Sequence, residues 1–389
     1  MLDSHQIRQG RISYIFEING LEFFYKYIVK NNGRLIYSWY LCGKYLLKIT
    51  DMNKITLPNI FGFAKSELNQ DAFFAWLIKC ADPIYLNLDP DLSRLGQNFI
   101  RLIIGNEDLM IEKIEVGRQW NKIDLWIEIN DDIFVAIEDK TETTEHDEQL
   151  ERYKQTVHAE YDGYRDKLFF TYIKTGNESK WNLNKISNCG YRIVLRDDLL
   201  KMLNGYVGDN IYVNHFRERL QFIENETQKY KTLPVSEWQW YAWQGFYQEI
   251  NKHIDLGWKY VPNPNEGFLG AFWYWVGDGK NIEFYLQFEE SKLCFKIWCG
   301  YKNHSDIRNA CFNSLMKVKE GRTEENEIQR PQRFGYGETM TIAVVNKEIL
   351  FGSGLIDIKR IVSKLHLYEK LIDLCYEDFL NNDSIEKEI

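Results

Sequence analysis

The sequence lacks the cysteine and histidine patterns that build zinc sites and disulfide frameworks. Its seven cysteines are an odd number and include no CxxC pair, which argues against structural zinc and against a secreted disulfide-rich fold. Its seven histidines form no HxH or HExxH arrangement, and there is no GxxxxGK(S/T) phosphate loop. These absences leave zinc peptidases and P-loop NTPases without support.

Long apolar runs and an excess of basic charge are also missing. No window of about 18 residues is apolar and uncharged, as a membrane-spanning helix requires, and the first residues lack the pattern of a cleavable signal peptide. We therefore expect a cytoplasmic protein with no membrane partner. The net charge of −9 argues against a surface that binds polyanions in general. Local basic groups could still follow a nucleic-acid backbone, with strongly salt-dependent binding.

The chain does have enough apolar residues for more than one hydrophobic core. Of its 389 residues, 44% are hydrophobic and 15% are aromatic. A chain of this length and composition is expected to be globular, and two domains are the natural count.

Two segments of alternating apolar and polar residues, 123–129 and 133–140, flank a short polar turn. A period of two is typical of half-buried strands, so the pattern predicts a β-hairpin. A three-residue loop at 130–132 pairs Leu125 with Ile137 and brings the two apolar faces together. A two-residue loop would break that match. We therefore predict the three-residue loop.

The same register places two acids and a lysine on one face of the hairpin. Asp124 comes opposite Glu138, and Lys140 shares the face of Glu138. Carboxylates at cross-strand spacing repel each other unless a cation lies between them, and oxygen ligands suit Mg²⁺ or Mn²⁺. Such an ion can polarise a phosphate and activate water, so the pattern predicts a metal-dependent phosphodiesterase. The alternative is a solvated polar face of an exposed sheet.

The order of these residues resembles a known signature. Asp124, followed by Glu138, Asp139 and Lys140, is similar to the D…(D/E)XK pattern of the PD-(D/E)XK nuclease superfamily, with Ile123 where the name has a proline. The resemblance implies a restriction-endonuclease-like fold and a Mg²⁺ (or Mn²⁺) ion held by Asp124 and Glu138. The Asp139 carbonyl is a third candidate ligand, and Lys140 is the activating residue. A DNA endonuclease or exonuclease, of bacterial origin and active in defence against foreign DNA, is implied by the resemblance alone.

Two flanking segments extend the resemblance. Residues 66–78 resemble the first helix of bacterial family members, and residues 145–153 resemble the helix after their catalytic hairpin. In the family a glutamate of the first helix often approaches the metal, which Glu67 matches; alternatively, Glu67 only favours the positive end of its helix. In the later helix Gln149 and Tyr153 are four residues apart and can share the face towards the site. Tyr153 could instead be a packing residue.

The chain is predicted to comprise an accessory segment, a nuclease-like α/β domain, a connecting helix with a linker, and a carboxy-terminal α+β domain. The resemblance covers about residues 52–203, where a mixed sheet flanked by helices is expected. The last domain should contain an antiparallel meander and could serve recognition, regulation through a partner, or homodimerisation. The accessory segment is either a hairpin module or sequence upstream of a start at Met52. The predicted parts are 1–51, 52–204, 205–234 and 235–389.

Further elements follow from the same periodicities. The nuclease-like domain should add strands to the hairpin, and the last domain should contain strands and three helices. The predicted strands are 110–116, 167–174, 191–195, 268–276, 282–289, 292–299 and 339–345. The predicted helices of the last domain are an opening helix with Trp238, Trp240, Trp243 and Phe246, a helix at 306–318 and one from 358 onward.

Basic and aromatic residues are the remaining candidates for nucleic-acid contact. Arg118 and Lys122 lie near the hairpin in sequence, Arg330 and Arg333 lie in a charged loop, and the phenol of Tyr153 can bind phosphate. The tryptophans of the last domain could stack on bases, but such residues more often form the core. Two other functions stay open, a catalytically inactive nucleic-acid-binding module and a sensor or interaction protein that acts through its carboxy-terminal domain.

Overall fold

The computed structural model of the chain describes residues 58–64, 66–144, 148–161, 167–263 and 267–381, and the backbone of three amino-terminal strands. The chain divides into two compact units, Met1–Pro58 and Asn59–Ile389. The first unit is a three-stranded antiparallel sheet. The Asn-Gly pairs at 19–20 and 32–33 fall in its two short connections, outside the described residues. Its strands are β1 (Ser13–Ile18), β2 (Leu21–Lys30) and β3 (Arg34–Leu41).

The second unit begins with a five-stranded mixed sheet. In chain order its strands are β4 (Ile114–Trp120), β5 (Ile123–Ile129), β6 (Ile133–Lys140), β7 (Leu168–Lys174) and β8 (Arg192–Leu195). Their spatial order is the same. The pairs β4–β5 and β5–β6 are antiparallel, and the pairs β6–β7 and β7–β8 are parallel. The predicted mixed sheet is confirmed.

Helices cover both faces of this sheet, and those on one face form the crossover connections that the parallel pairs β6–β7 and β7–β8 need. Leu125, Ile127 and Ile137 are fully buried against the first layer of helices. On the other face Phe134 and Ala136 pack against the second layer. The helices of the first layer are α1 (Glu67–Cys80), α2 (Pro90–Ile104), α5 (Arg196–Asn204) and α6 (Ile211–Gln228), and those of the second are α3 (Gln149–Glu160) and α4 (Lys180–Asn188).

The first strand of the sheet begins later than predicted. The sequence predicts a strand over 110–116, whereas β4 begins at Ile114. The side chain of Asn130, in the hairpin loop, accepts the backbone N–H of Glu112 (2.8 Å) and donates to the carbonyl of Met110 (2.9 Å). These bonds satisfy backbone groups that a strand would pair with a neighbour. The segment before Ile114 is therefore irregular.

Helices α2 and α4 are absent from the predicted set, although the sequence carries their boundary signals. The carboxylate of Asp89 accepts the N–H of Leu92 (3.0 Å) and caps α2, which has Pro90 at its first position. Gly105 ends α2 with a φ of +80°, a left-handed conformation that favours glycine. At the start of α4, the side chain of Ser179 accepts the backbone N–H of Asn182 and caps the helix as Asp89 caps α2. Capping residues, proline at the start and glycine at the end are recognised helix signals.

A second sheet, of six antiparallel strands, forms the carboxy-terminal part of this unit. In chain order its strands are β9 (Gly257–Val261), β10 (Phe268–Gly277), β11 (Ile282–Glu289), β12 (Lys292–Cys299), β13 (Ile328–Gln329) and β14 (Thr339–Val345). Their spatial order is β13-β14-β12-β11-β10-β9. Phe284, Leu286 and Phe288 of β11 point inward and are fully buried. The predicted separate α+β part with an antiparallel meander is confirmed, and β9 and β13 are additions to it.

Helices cover the inward face of this second sheet. Trp238, Trp243 and Trp273 are at most 5% exposed and form part of the core, whereas Trp275 is 47% exposed. Most of the tryptophan surface in this part is therefore packing. Within the described residues, no helix is both long and apolar enough to cross a lipid bilayer. The helices are α7 (Trp240–Ile250), α8 (His304–Lys319), α9 (Lys347–Phe351) and α10 (Ile358–Leu380).

Helix α6, which the sequence predicts as a connector, packs in the core of the first sheet. Phe216 of α6 stacks on Phe73 of α1, with ring centroids 4.2 Å apart. After β7, the buried amide of Asn177 donates to Thr227 Oγ1 of α6 (3.0 Å) and to Gln244 Oε1 of α7 (2.8 Å). The mixed sheet and α7 are therefore joined by a buried polar contact.

Candidate active site

The hairpin of β5 and β6 has the predicted register. Leu125 pairs with Ile137 and Ile129 with Ile133, so the loop between the strands has three residues. The regular pairing ends at Leu125. Beyond it, the backbone N–H of Asp139 donates to Oδ2 of Asp124 at 3.1 Å. The side chain of Asp124 thus bridges the two strands at the point where the ladder stops.

Two acids and one lysine meet at this point. The ammonium of Lys140 forms an ion pair with Oε1 of Glu138 and lies 3.6 Å from Oδ2 of Asp124. Glu138 is 1% exposed and Lys140 is 8% exposed. The alternative of a solvated polar face is therefore wrong for these two residues, because α3 and the strands bury them.

The electrostatics of the cluster favour an additional cation. Burial and the nearby charge of Asp124 raise the pKa of Glu138 to about 8, although Lys140 opposes the shift. Burial lowers the pKa of Lys140, but Glu138 and Asp124 outweigh it and leave that pKa above its ordinary value. The ammonium is therefore charged at neutral pH. Its charge is not enough to keep the buried Glu138 carboxyl readily ionised.

One oxygen of Glu138 lacks a partner. Oε1 accepts a hydrogen bond from Nε2 of Gln149 at 2.7 Å, whereas Oε2 is buried and has no hydrogen-bond partner. Leaving a buried acceptor unsatisfied costs about 1–3 kcal/mol. Such an oxygen is available as a metal ligand.

The donor set fits a hard, hydrated ion. In the part of the chain that the structure describes, no three His, Cys, Asp or Glu side chains are grouped to hold a metal. Mg²⁺ is commonly bound by one or two carboxylates and keeps several waters. Asp124 and Glu138, with the Asp139 carbonyl and water, match that requirement and do not match a structural zinc site.

Helix α3 brings Gln149 and Tyr153 to the cluster, as predicted from their spacing. Nε2 of Gln149 contacts Glu138 and also the hydroxyl of Tyr153, at 2.7 Å in each case. Tyr153 is 6% exposed and packs against the second face of the sheet. Tyr153 therefore combines a packing role with orientation of Gln149.

Helix α1 brings Glu67 to the segment just after Lys140. Its Oε1 accepts the backbone N–H of Thr141 (3.0 Å) and the hydroxyl of Thr143 (2.6 Å). The charge of Glu67 also helps to raise the pKa of Lys140, as the smallest of several causes. Glu67 thus fixes the backbone beside the acids, and its carboxylate has its own hydrogen-bond donors.

Comparison with known proteins identifies a family for the segment that contains this cluster. Residues 58–232 match the family model of the PD-(D/E)XK nuclease superfamily. The resemblance seen in the sequence is confirmed for this nuclease-superfamily segment, which extends past residue 203 to include α6. The second sheet lies outside the match. No curated protein and no solved structure matches the chain.

The nuclease-superfamily segment contains a second acid pair, of which the sequence analysis assigned only Asp139, through its carbonyl. Asp71 of α1 and Asp139 are at most 1% exposed, and Gln70 donates to Asp139 at 2.5 Å. Burial and Asp124 raise the pKa of Asp71 to about 6. Burial and Asp71 raise the pKa of Asp139 well above its ordinary value. The i, i+4 spacing of Glu67 and Asp71 is the signal that predicts an acid facing the hairpin.

The predicted basic residues lie outside the acid cluster. Arg118 of β4 donates to the Leu68 carbonyl at 3.4 Å, and its charge partly offsets the raised pKa of Asp71. Lys122 is exposed in the turn between β4 and β5. Arg330 and Arg333 are exposed and follow β13, a strand of the second sheet. Among the described contacts, none joins Lys122, Arg330 or Arg333 to Asp124 or Glu138.

Proposed function

We propose that the protein is a Mg²⁺- or Mn²⁺-dependent nuclease that hydrolyses phosphodiester bonds in DNA. The observation that carries the proposal is the buried cluster of Asp124, Glu138 and Lys140, in the predicted order, within a segment that matches a nuclease superfamily. A free buried oxygen on Glu138 supports a metal ligand at that position.

Asp124 and Glu138 would hold the ion, with the Asp139 carbonyl as a third ligand. When bound, such an ion polarises a phosphate and lowers the pKa of water. Gln149 fixes the rotamer of Glu138 by its hydrogen bond to Oε1, and Asp139 N–H fixes Asp124. Both carboxylates are therefore oriented by protein donors before any ligand arrives, which lowers the cost of reorganisation.

Lys140 would act on the reacting groups. Its ammonium is charged at neutral pH and is close to both carboxylates. From that position it can donate to an attacking water or to a phosphate oxygen, where negative charge develops in the transition state. The family resemblance supports, within the same proposal, a bacterial enzyme directed against foreign DNA.

The test is incubation of the pure protein with plasmid, linear DNA and RNA in Mg²⁺, Mn²⁺ or EDTA. We expect cleavage of DNA that requires the metal and disappears in Lys140→Ala. Lys113→Ala is the matched control, because Lys113 is an exposed lysine just before β4 that pairs with Asp131. Cleavage that survives EDTA, wild-type rates in Lys140→Ala, or no cleavage of any substrate would contradict the proposal.

A further inference from the structure

Three of the four residues after Lys140 are held by contacts from other elements. We call residues 141–144 the connecting segment, because the chain runs from Lys140 through them towards α3. Glu67 of α1 accepts from Thr141 and Thr143. Two further contacts come from distant elements, one from Lys174 of β7 and one from Tyr241 of α7.

The contact from β7 uses a buried lysine. Lys174 lies beside Lys140 in the parallel register, and its ammonium donates to the Thr143 carbonyl. It also pairs with Glu178 at 3.3 Å, and both side chains are at most 1% exposed. Burial lowers the pKa of Lys174, although Glu178 opposes the shift. Burying an ion pair such as Lys174–Glu178 costs free energy of folding. In return, the ammonium of Lys174 holds the backbone at Thr143.

The contact from α7 comes from outside the nuclease-superfamily segment. The hydroxyl of Tyr241, in the first turn of α7, donates to the carboxylate of Glu142. Burial and Glu142 raise the pKa of Tyr241, with Arg219 of α6 as an opposing partner, so the phenol keeps its proton. The bond between Asn177 and Gln244 fixes α7 against the mixed sheet.

We propose that Tyr241 is a positioning residue for phosphodiester cleavage. It holds Glu142, and with Glu67 and Lys174 it fixes the connecting segment, which directly follows Lys140 and leads towards the helix that carries Gln149. Small displacements of a catalytic group have large effects on rate. The inference rests on the proposed nuclease function and assigns α7, in the carboxy-terminal part, a role in the chemistry.

Kinetics of four variants test the role. Tyr241→Phe removes the hydroxyl and keeps the ring, and we expect about a fivefold loss of kcat, the scale of one hydrogen bond, with KM and Mn²⁺ affinity within about twofold. Glu142→Ala should match it, and the double variant should be no worse. Glu142→Gln keeps an acceptor and should restore wild-type kcat. The matched control is Tyr274→Phe, which removes a tyrosine–carboxylate bond to Asp373 elsewhere in the carboxy-terminal part.

Hydrogen exchange supplies a readout that does not depend on activity. Peptides covering residues 139–144 should exchange faster in Tyr241→Phe and Glu142→Ala than in the wild type or Tyr274→Phe. Unchanged exchange and unchanged kcat in both variants would overturn the inference, as would equal defects in Glu142→Gln and Glu142→Ala. If the two variants exchange faster than the wild type but the wild-type protein cleaves no substrate, the positioning contact is retained and the nuclease proposal is rejected. Because Glu142 is exposed, Glu142→Ala tests the contact even if Tyr241→Phe folds poorly.

Discussion

The side-chain amide of Gln149 donates to Oε1 of Glu138 at 2.7 Å and leaves Oε2 of the same carboxylate without a partner. One oxygen is thereby oriented and the other is available. Helix α3 thus shapes the candidate metal site without contributing a charged ligand.

Loss of this amide should reduce activity without loss of fold. We expect Gln149→Ala to lower kcat about tenfold, because Glu138 loses the donor that fixes its rotamer. Gln155→Ala, an exposed change on the same helix, is the control. Steady-state kinetics with thermal melting of both variants provides the measurement, and equal kcat values for the two would exclude an orienting role for Gln149.

Metal should bind at Asp124 and Glu138. Calorimetric titration with Mn²⁺ should show one site in the wild type and none in the Asp124→Ala, Glu138→Ala double variant, because the two carboxylates supply the only side-chain charge proposed for the ion. Glu115→Gln changes an exposed glutamate on β4 and should leave binding intact. Binding heat that persists in the double variant would place the metal elsewhere.

Removal of Lys140 should separate catalysis from metal binding. The ammonium competes with the ion for the same carboxylates, so Lys140→Ala should keep or increase Mn²⁺ affinity while cleavage falls by at least about a hundredfold. Calorimetry and single-turnover cleavage on the same preparation measure both quantities. A parallel fall in affinity and rate would mean that Lys140 organises the site and has no separate role in the transition state.

Asp71 should make stability depend on pH. Its folded pKa of about 6 lies above the ordinary value of 3.8, so the folded state binds more protons than the unfolded state between these values. The contribution of Asp71 to stability is therefore fully present below about pH 4 and is lost as the pH rises through about 6. Asp71→Asn should raise the free energy of unfolding at pH 8 by about 1–3 kcal/mol.

Urea unfolding of the wild type and Asp71→Asn at pH 5 and pH 8 measures this effect. The gain from the substitution should be larger at pH 8. A gain that is equal at the two pH values, or a loss at pH 8, would show that the buried carboxyl of Asp71 is not penalised on ionisation.

Phe216 tests whether α6 belongs to the core of the mixed sheet. Phe216→Ala should lower the free energy of unfolding by about 3–5 kcal/mol, the usual cost of deleting a buried phenylalanine. Phe222→Ala, on the same helix but 49% exposed, should have a much smaller effect. Similar unfolding midpoints for the two variants would support the original interpretation of residues 205–234 as a connector.

The sequence predicts features that depend on local periodicity and misses those that depend on side-chain contacts. Alternation alone gives the register of Leu125 with Ile137, because a shift by one residue would expose the apolar face. The strand start at Ile114 is missed because Asn130 satisfies the preceding backbone from a later loop. Helix α2 could have been found from Asp89, Pro90 and Gly105.

Contacts between distant residues account for the rest. Lys174 reaches Thr143 across 31 positions and Tyr241 reaches Glu142 across 99 positions. No periodicity or spacing relates these residues, since their proximity arises only when the sheet and the helices have packed. The burial of Glu138, which raises its pKa, is likewise a property of α3 lying over β6.

The hydrogen bond between Tyr241 and Glu142 also bears on how this chain can be recombined. The family match ends at residue 232, and the helix that carries Tyr241, Trp240–Ile250, lies wholly beyond it. A chimera that exchanges the carboxy-terminal part at residue 232 would separate Glu142 from its donor, whereas a junction after Ile250 would keep the pair together. The segment that must be transferred intact to keep activity in such a chimera would then be longer than the segment that matches the family.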